Sequence, residues 1–149
     1  FADYMVAYGE GGLRSLRHAS LKNLAALYWY TVEFGLIQTE QGLRIYGAGI
    51  VSSPAESAFS LEDPSPNRIA FNLERLMRTD YRIDDFQQTY FVIDSYDQLF
   101  RSTVDTDFAP LYADMQGTFD LKPEDVLPTD KVITKGTQAY ANNGGRFAA

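Results

Sequence analysis

The run from residue 24 to residue 37 is almost entirely apolar or aromatic, and Glu33 is its only charged member. A run of this length and composition favours a helix, in which residues three and four apart share a face. At that spacing Glu33 has four neighbours, all large and apolar or aromatic: Trp29, Tyr30, Leu36 and Ile37. Removing an ionised carboxylate from water costs several kcal/mol unless a cation, a metal or hydrogen bonds compensate. The sequence therefore predicts a shielded Glu33 carboxylate that needs a partner.

Two interpretations of Glu33 stay open on the residues alone. In the first, Glu33 pairs with Arg44 or another arginine at the end of the helix, and the aromatic residues around it are ordinary core. In the second, Trp29 and Glu33 share a helical face, and an aromatic wall beside an acid suits a flat, apolar ligand. A metal site of two histidines and one carboxylate is incomplete, because the chain has one histidine, His18, which we expect to face solvent.

Size and charge set the class of protein. With 149 residues, 45% of them apolar and 14% aromatic, the chain suits one domain that buries about two thirds of its surface on folding. The formal charge of −7 argues against a nucleic-acid partner, which usually requires a basic stripe. The absence of cysteine excludes disulfides, cysteine zinc sites and iron–sulfur clusters. The longest apolar run is too short to span a bilayer, so we expect a cytoplasmic protein with no membrane contact.

The hydrophobic pattern predicts an α+β chain that is predominantly helical and contains one small β hairpin. The predicted helices are 2–17 with a break or turn at Gly9, Gly11 and Gly12, 21–34 after an N-cap at Ser20, one beginning at Ser53, 69–77, 95–103 and 108–115. The hairpin lies around a turn at 38–42, and the best buried strand is 89–93. Gly47 and Gly49 predict either a tight bend or a close approach of the backbone to another part of the structure. We expect a single domain over 1–135 and a flexible tail over 136–149.

The segment 52–56 allows a structural and a functional interpretation. Ser53 suits a helix N-cap, Pro54 suits the first helical position, and Glu56 would complete a capping box. Alternatively, the helix N-terminus and the hydroxyls of Ser52 and Ser53 hold the carboxylate of a ligand. Spacing alone favours capping.

Four stretches of the chain resemble one family. Two of them, 28–36 (YWYTVEFGL) and 46–53 (YGAGIVSS), are similar to the aromatic amino acid hydroxylases. The other two, 86–95 (FQQTYFVIDS) and 1–4 (FADY), resemble the bacterial phenylalanine hydroxylases of that family. The resemblance extends to about residue 112, and it implies the catalytic fold of the family.

The resemblance also implies an activity and a set of site residues. The family's enzymes are monooxygenases that use iron(II), dioxygen and tetrahydrobiopterin or a related tetrahydropterin, here to convert phenylalanine to tyrosine. By resemblance Glu33 is the iron carboxylate, which gives its charge a partner. The implied substrate contacts are six residues: Trp29, Phe34, Gly49, Ser52, Ser53 and Glu56. The implied pterin contacts are two residues: Tyr28 and Ala25.

The chain departs from the family in the segment that carries the other iron ligands. The family places both iron histidines in a His-Asp-x-x-Gly-His segment before the stretch that resembles residues 1–4, and this chain lacks that segment. It also lacks an upstream arginine for the substrate carboxylate, most of the pterin loop and the long C-terminal helix with which animal members tetramerise.

These departures lead to an expectation about the chain itself. We expect the C-terminal part of a catalytic domain from a monomeric parent enzyme, inactive by itself because both iron histidines are missing. Exposure of Trp29 and Phe34 predicts self-association of the isolated chain. Two alternatives stay open: a non-catalytic module that binds an aromatic ligand or a partner, and a piece that assembles with a separately supplied N-terminal half.

Overall fold

A five-stranded mixed sheet runs through the computed structural model, which describes residues 2–17 and 20–147. His18 and Phe1 therefore lie outside the described residues. The strands are β1 (Leu36–Thr39), β2 (Gly42–Ile45), β3 (Asn67–Ala70), β4 (Thr89–Ile93) and β5 (Val132–Thr134). They lie in the order β2-β1-β4-β3-β5. Strand β4 is parallel to both of its neighbours, and the edge strands β2 and β5 are antiparallel to theirs.

Helices pack on both faces of this sheet. They are α1 (Ala2–Arg17), α2 (Leu21–Tyr28), which continues as a π-helical segment (Trp29–Glu33), α3 (Ala48–Val51), α4 (Pro54–Glu62), α5 (Leu73–Met77), α6 (Tyr96–Val104), α7 (Phe108–Met115) and α8 (Ala139–Asn142). Successive side chains of a strand point to opposite faces. Phe91 and Ile93 accordingly join the large core with α1, α2, α6 and α7, while Tyr90 and Val92 join a smaller core with α3 and α4.

Several elements confirm the sequence predictions. The hairpin is β1–β2, and Gly42 after its turn has a φ of +99°, a value that favours glycine. The predicted buried strand is β4, and all five of its residues are buried. The helix α7 has the predicted bounds, and α6 begins after Ser95, whose hydroxyl accepts from the N–H of Gln98 at 3.0 Å.

Two details of the predicted helices need correction. Helix α1 runs unbroken through the three glycines that the sequence predicted as its break. A glycine costs a helix only about 1 kcal/mol, which burial of residues such as Tyr4 outweighs. Ser20 precedes α2 but does not cap it with its side chain. Its hydroxyl donates instead to the carbonyl of Tyr112 at 3.0 Å, and so ties α2 to α7.

The helix predicted over 69–77 is wrong in its first half. Residues Asn67–Ala70 form β3, and α5 begins only at Leu73, where Asn72 accepts from the N–H of Arg75 at 3.0 Å. Strand β3 lies between β4 and β5 and is buried on both faces, so it lacks the alternation that distinguishes a strand from a helix. The predicted hairpin is consequently one edge of a larger sheet.

The segment 136–147 packs against the body of the fold. The N–H of Tyr140 donates to the hydroxyl of Ser65 at 2.9 Å, and the Tyr140 ring stacks on Phe86 with centroids 5.2 Å apart. The flexible tail over 136–149 and the domain boundary before it stay predictions. Hydrogen exchange at the Tyr140 amide would measure whether the segment opens.

Candidate active site

The helix that carries Glu33 widens before it ends. The N–H of Phe34 donates to the carbonyl of Trp29 at 2.8 Å, a bond that reaches five residues back and defines a π turn. In such a turn, residues five apart share a face, and Tyr28 is five residues before Glu33. The pKa of Tyr28 is raised, and the main cause is its side-chain interaction with the Glu33 carboxylate.

This geometry corrects the predicted surroundings of Glu33. The helix ends at Glu33. Leu36 and Ile37 belong to strand β1 and are therefore not helical neighbours of Glu33. Tyr30 points into the core, where its hydroxyl donates to the carbonyl of Asp80 at 2.6 Å. Glu33 itself is half-buried, and the shielding that the sequence predicts is partial.

Two glycines let another backbone segment approach Glu33. A Cβ atom added to Gly47 would lie 2.4 Å from the carbonyl oxygen of Glu33, a distance that no side chain tolerates. A Cβ atom on Gly49 would lie 3.0 Å from Oε2 of Glu33 and 3.0 Å from Cζ of Phe34. The predicted close approach is confirmed, and the start of α3 forms one side of the Glu33 site.

An aromatic wall stands beside this carboxylate. The Trp29 ring lies 4.7 Å from the ring of Phe34, tilted by 35°, and 4.7 Å from the ring of Tyr81, stacked at 21°. The indole Nε1–H donates to Oε1 of Gln87 at 3.0 Å. Trp29 and Phe34 are half-buried, so the wall keeps an accessible surface on which a flat apolar group can pack.

Glu56 is a second carboxylate, and it is buried with 6% of its surface exposed. Its Oε1 accepts from the hydroxyl of Tyr90 at 2.8 Å and from the N–H of Gln87 at 3.4 Å. Burial is the main cause that raises the pKa of Glu56, and these two hydrogen bonds oppose it.

The capping box predicted for α4 is half correct. Ser53 does cap the helix, since its hydroxyl accepts from the N–H of Glu56 at 3.3 Å. The N–H of Ser53, however, donates to the carbonyl of Ile50 at 3.0 Å, and the Glu56 carboxylate points to Tyr90. Ser52 is exposed, and its hydroxyl donates to the carbonyl of Gly49 at 2.8 Å.

The structure thus brings the predicted site residues into two groups. Around the Glu33 carboxylate are Tyr28, Phe34 and Gly49, with Trp29 against Phe34. Ser52, Ser53 and Glu56 lie at the junction of α3 and α4. Ala25 is half-buried one turn before Tyr28 on α2.

Gln87 connects these groups, and sequence analysis did not single it out. Its side chain contacts Trp29 and its backbone contacts Glu56. The only sequence signal is its place in the 86–95 stretch that resembles the family. Tyr81, which stacks on Trp29, has no comparable signal, because it lies in a loop far from Trp29 in the chain.

The described residues do not assemble a complete metal site. Among residues 2–17 and 20–147 no group of three or more histidine, cysteine, aspartate or glutamate side chains is placed to hold a metal. The carboxylate of Glu33 suits one position of such a site, because no salt bridge involves it within the described part of the chain. The ion pair with Arg44 is therefore wrong; the Arg44 guanidinium donates to the Leu43 carbonyl at the surface.

A cavity of about 710 Å³ lies elsewhere, at the carboxyl ends of the parallel strands β3 and β4. Its lining is mostly charged and polar and includes Arg75, Arg78, Asp94, Asp130 and Lys131. The chemistry of an aromatic ligand favours the Glu33 site over this cavity, because the aromatic wall and the open carboxylate are both at Glu33.

The mixed α/β fold places an open carboxylate beside an aromatic wall, an arrangement that suits an aromatic ligand. The family follows from the sequence profile of the biopterin-dependent aromatic amino acid hydroxylases, which matches residues 2–131. The chain belongs to this family, and the fold predicted from the resemblance is confirmed.

Individual relatives agree with this assignment. The phenylalanine-4-hydroxylase of Caulobacter vibrioides is 62% identical over 148 residues, 99% of this chain and 50% of that protein. The phenylalanine-4-hydroxylase of Ralstonia nicotianae is 58% identical over 93% of this chain and 44% of its own length. The iron- and phenylalanine-bound phenylalanine hydroxylase from Chromobacterium violaceum superposes with a TM-score of 0.86 at 55% identity, covering 89% of this chain and 49% of that one. The chain spans about half the length of these relatives.

No helix within the described ranges combines the length and the apolar character that crossing a membrane requires.

Proposed function

We propose that this chain supplies the carboxylate iron ligand and the aromatic substrate wall of a phenylalanine 4-hydroxylase. The proposal rests above all on Glu33, which lies against Gly49 and Phe34 without a charged partner among the described residues. Two relatives named phenylalanine-4-hydroxylase, which are 62% and 58% identical to this chain, support the proposal. In the complete enzyme, iron(II) and a tetrahydropterin would supply the activation of dioxygen that converts phenylalanine to tyrosine. The two remaining iron ligands would be histidines outside the described residues.

In this proposal each side chain of the Glu33 group has a part. Trp29 and Phe34 flank the aromatic ring of phenylalanine and exclude water from it. The Tyr28 phenol, whose pKa the neighbouring Glu33 carboxylate raises, would donate to that carboxylate and orient it, as hydrogen bonds to metal ligands commonly do. Ala25 and Tyr28, three residues apart on α2, present one face to the pterin.

The α3–α4 junction would position the amino acid backbone of the substrate. Gly49 leaves room beside Glu33, and the exposed Ser52 and the cap Ser53 present polar groups at the start of α4. Glu56 is turned toward Tyr90 and Gln87, so it would act on the substrate through the shape of this junction.

The decisive experiment compares Glu33→Gln with Glu40→Gln, an exposed residue of the hairpin turn. In the full-length protein, Glu33→Gln should lower both bound iron and tyrosine formation by about a hundredfold or more, because the carboxamide is a poor metal ligand. Glu40→Gln should change neither. Unaltered iron content in Glu33→Gln would contradict the proposal.

A related expectation concerns the chain by itself. With one ligand among its described residues, the 149-residue chain should neither hold stoichiometric iron nor turn over phenylalanine. Metal analysis and a tyrosine assay on the isolated chain test this. Stoichiometric iron with turnover would show that the chain completes the site.

A second candidate is a non-catalytic module that binds an aromatic ligand. One observation favours it: Trp29, Phe34 and Tyr81 assemble the aromatic wall within this chain, without help from a metal. This candidate predicts calorimetric binding of phenylalanine or a pterin that is indifferent to iron and survives Glu33→Gln. Loss of binding on either change would favour the enzyme.

We further propose a monomeric, cytoplasmic enzyme whose isolated chain self-associates through the accessible surfaces of the half-buried Trp29 and Phe34. A separately supplied N-terminal half remains a third arrangement. The mass of the native protein and light scattering of the isolated chain separate these possibilities, and a monodisperse isolated chain would argue against self-association.

A further inference from the structure

Gln87 is held in one orientation by partners on all sides. It is buried, with 2% of its surface exposed. Its Oε1 accepts from Nε1 of Trp29 at 3.0 Å, and its Nε2 donates to the carbonyls of Arg82 at 2.6 Å and Asp85 at 3.4 Å. Turning the amide over would set an N–H₂ group against the indole N–H and an oxygen against two carbonyls. The acceptor is therefore fixed toward Trp29.

The wall residue Trp29 needs such an anchor. Stacking on Tyr81 and Phe34 fixes the plane of the indole. It distinguishes only weakly between the two orientations that a half-turn of the ring exchanges, because the two faces of a flat ring are similar. A hydrogen bond to the single polar atom of the ring selects one orientation. The acceptor on Gln87 is buried and immobile, so it can make this selection.

Gln87 also ties this anchor to the other half of the site. Its backbone N–H donates to Oε1 of Glu56, the same oxygen that accepts from Tyr90. Glu56 lies on α4, next to the junction with α3 that carries Gly49. A continuous set of hydrogen bonds thus runs from the indole of Trp29 to the first turn of α4.

We infer that Gln87 is a positioning residue, which sets the orientation of the Trp29 indole in the wall against which the substrate ring packs. The inference rests on the proposed function for its kinetic consequence, and on the contacts of Gln87 alone for its structural one. Gln87 acts through Trp29 and does not touch the reacting atoms.

The test uses the full-length protein labelled with ¹⁵N-tryptophan, in which Trp29→Phe assigns the indole signal of Trp29. Gln87→Met, of similar volume but without an acceptor, should shift that signal and speed its hydrogen exchange about fivefold, the factor expected for one lost hydrogen bond. Gln88→Met is the matched control, because the Gln88 side chain bonds to Gln138 instead. An unmoved Trp29 signal in Gln87→Met would overturn the inference.

The kinetic arm asks whether the effect passes through the indole. Gln87→Met should raise KM for phenylalanine about fivefold with little change in kcat, and should add nothing in a Trp29→Phe background. Equal effects in both backgrounds would reduce Gln87 to a structural residue. A protein that forms no tyrosine at all would defeat the proposed function, while the indole signal would still decide the role of Gln87.

A second variant covers a failure of Gln87→Met to fold. Gln87→Asn keeps a buried amide, but its side chain is one methylene shorter and withdraws the acceptor from the indole. The same shift of the Trp29 signal and the same rise in KM are expected of it. Persistence of the parental signal in this variant would overturn the inference as well.

Discussion

Asp130 and Glu33 are both carboxylates drawn away from bulk water, and the fold treats them in opposite ways. Asp130 forms a buried salt bridge with Arg75 at 3.0 Å, the two side chains being 4% and 6% exposed. It also accepts from the N–H of Leu127 at 2.7 Å. Glu33 lies near the phenol of Tyr28, whose pKa it raises, and forms no ion pair within the described part of the chain. The carboxylate that stabilises the fold has its charge compensated by a buried cation and a backbone N–H. The carboxylate that is available to a ligand lacks such compensation among the described residues.

The largest effect is expected at the buried salt bridge between Arg75 and Asp130. Arg75→Met should lower the free energy of unfolding by about 3–5 kcal/mol, because it leaves the buried Asp130 charge without its cation. Urea denaturation of the protein measures this. Arg101→Met is the control, since its partner Asp97 and Arg101 are both 69% exposed and such pairs contribute about 0.5 kcal/mol. Equal losses in the two variants would contradict the comparison.

The next effect tests how tightly α3 is pressed against Glu33. Gly47→Ala should cost about 1–3 kcal/mol, because the new methyl would lie 2.4 Å from the Glu33 carbonyl oxygen and displace the α3 backbone. Gly9→Ala is the matched substitution in open space on α1, and it should stabilise by about 0.5–1 kcal/mol. Thermal unfolding of both variants measures whether the two changes in stability have opposite signs. If both variants shifted in the same direction, α3 would have moved to accommodate the new methyl group at little cost.

Glu56 lies between the two extremes, being buried and hydrogen-bonded but without a cation among the residues that the structure describes. Because burial raises its pKa above the ordinary 4.5, the native state binds this proton more tightly than the unfolded state does. Its contribution to stability is therefore fully present below pH 4.5 and is lost as the pH rises through the raised pKa. Glu56→Gln should remove this dependence, so the unfolding free energy of the variant should gain on that of the parent as the pH rises from 4.5 to 7. A variant whose pH profile parallels the parent would locate the dependence elsewhere.

The smallest expected effect is at Glu33 itself. Glu33→Gln should change the free energy of unfolding by less than about 0.5 kcal/mol, because the carboxylate has no ion pair to lose among the described residues and its half-buried charge is costly. The same denaturation experiment measures it. A loss approaching that of Arg75→Met would mean that Glu33 serves the fold, and the contrast between the two acids would fail.

Much of the fold follows from local chemistry in the sequence. The buried strand β4 and the β1–β2 hairpin carry strong signals, which are a run of five apolar or β-favouring residues and a turn that ends in glycine. Strand β3 could not be recognised, because burial on both faces removes the alternation that marks a strand. The three-residue edge strand β5 was not predicted either.

The site was less predictable than the fold. Glu33 is conspicuous as a single charge in an apolar run, and Gly47 and Gly49 signal a close approach. An α turn and a π turn, however, differ by one residue in the reach of a hydrogen bond, and composition does not distinguish them. The partners that complete the site, Tyr81 and Gln87, come from a loop whose place beside Trp29 is set by the packing of the whole chain.

The π turn at Trp29–Glu33 acts on the helix as a phase shift. One extra residue in a turn rotates everything after it by about 100° relative to a regular α-helix. The stripe of α2 that enters the core and the direction in which Glu33 points are therefore set by separate parts of the sequence. Removing one residue from the turn would leave the packing of α2 intact and swing the carboxylate to another side of the helix.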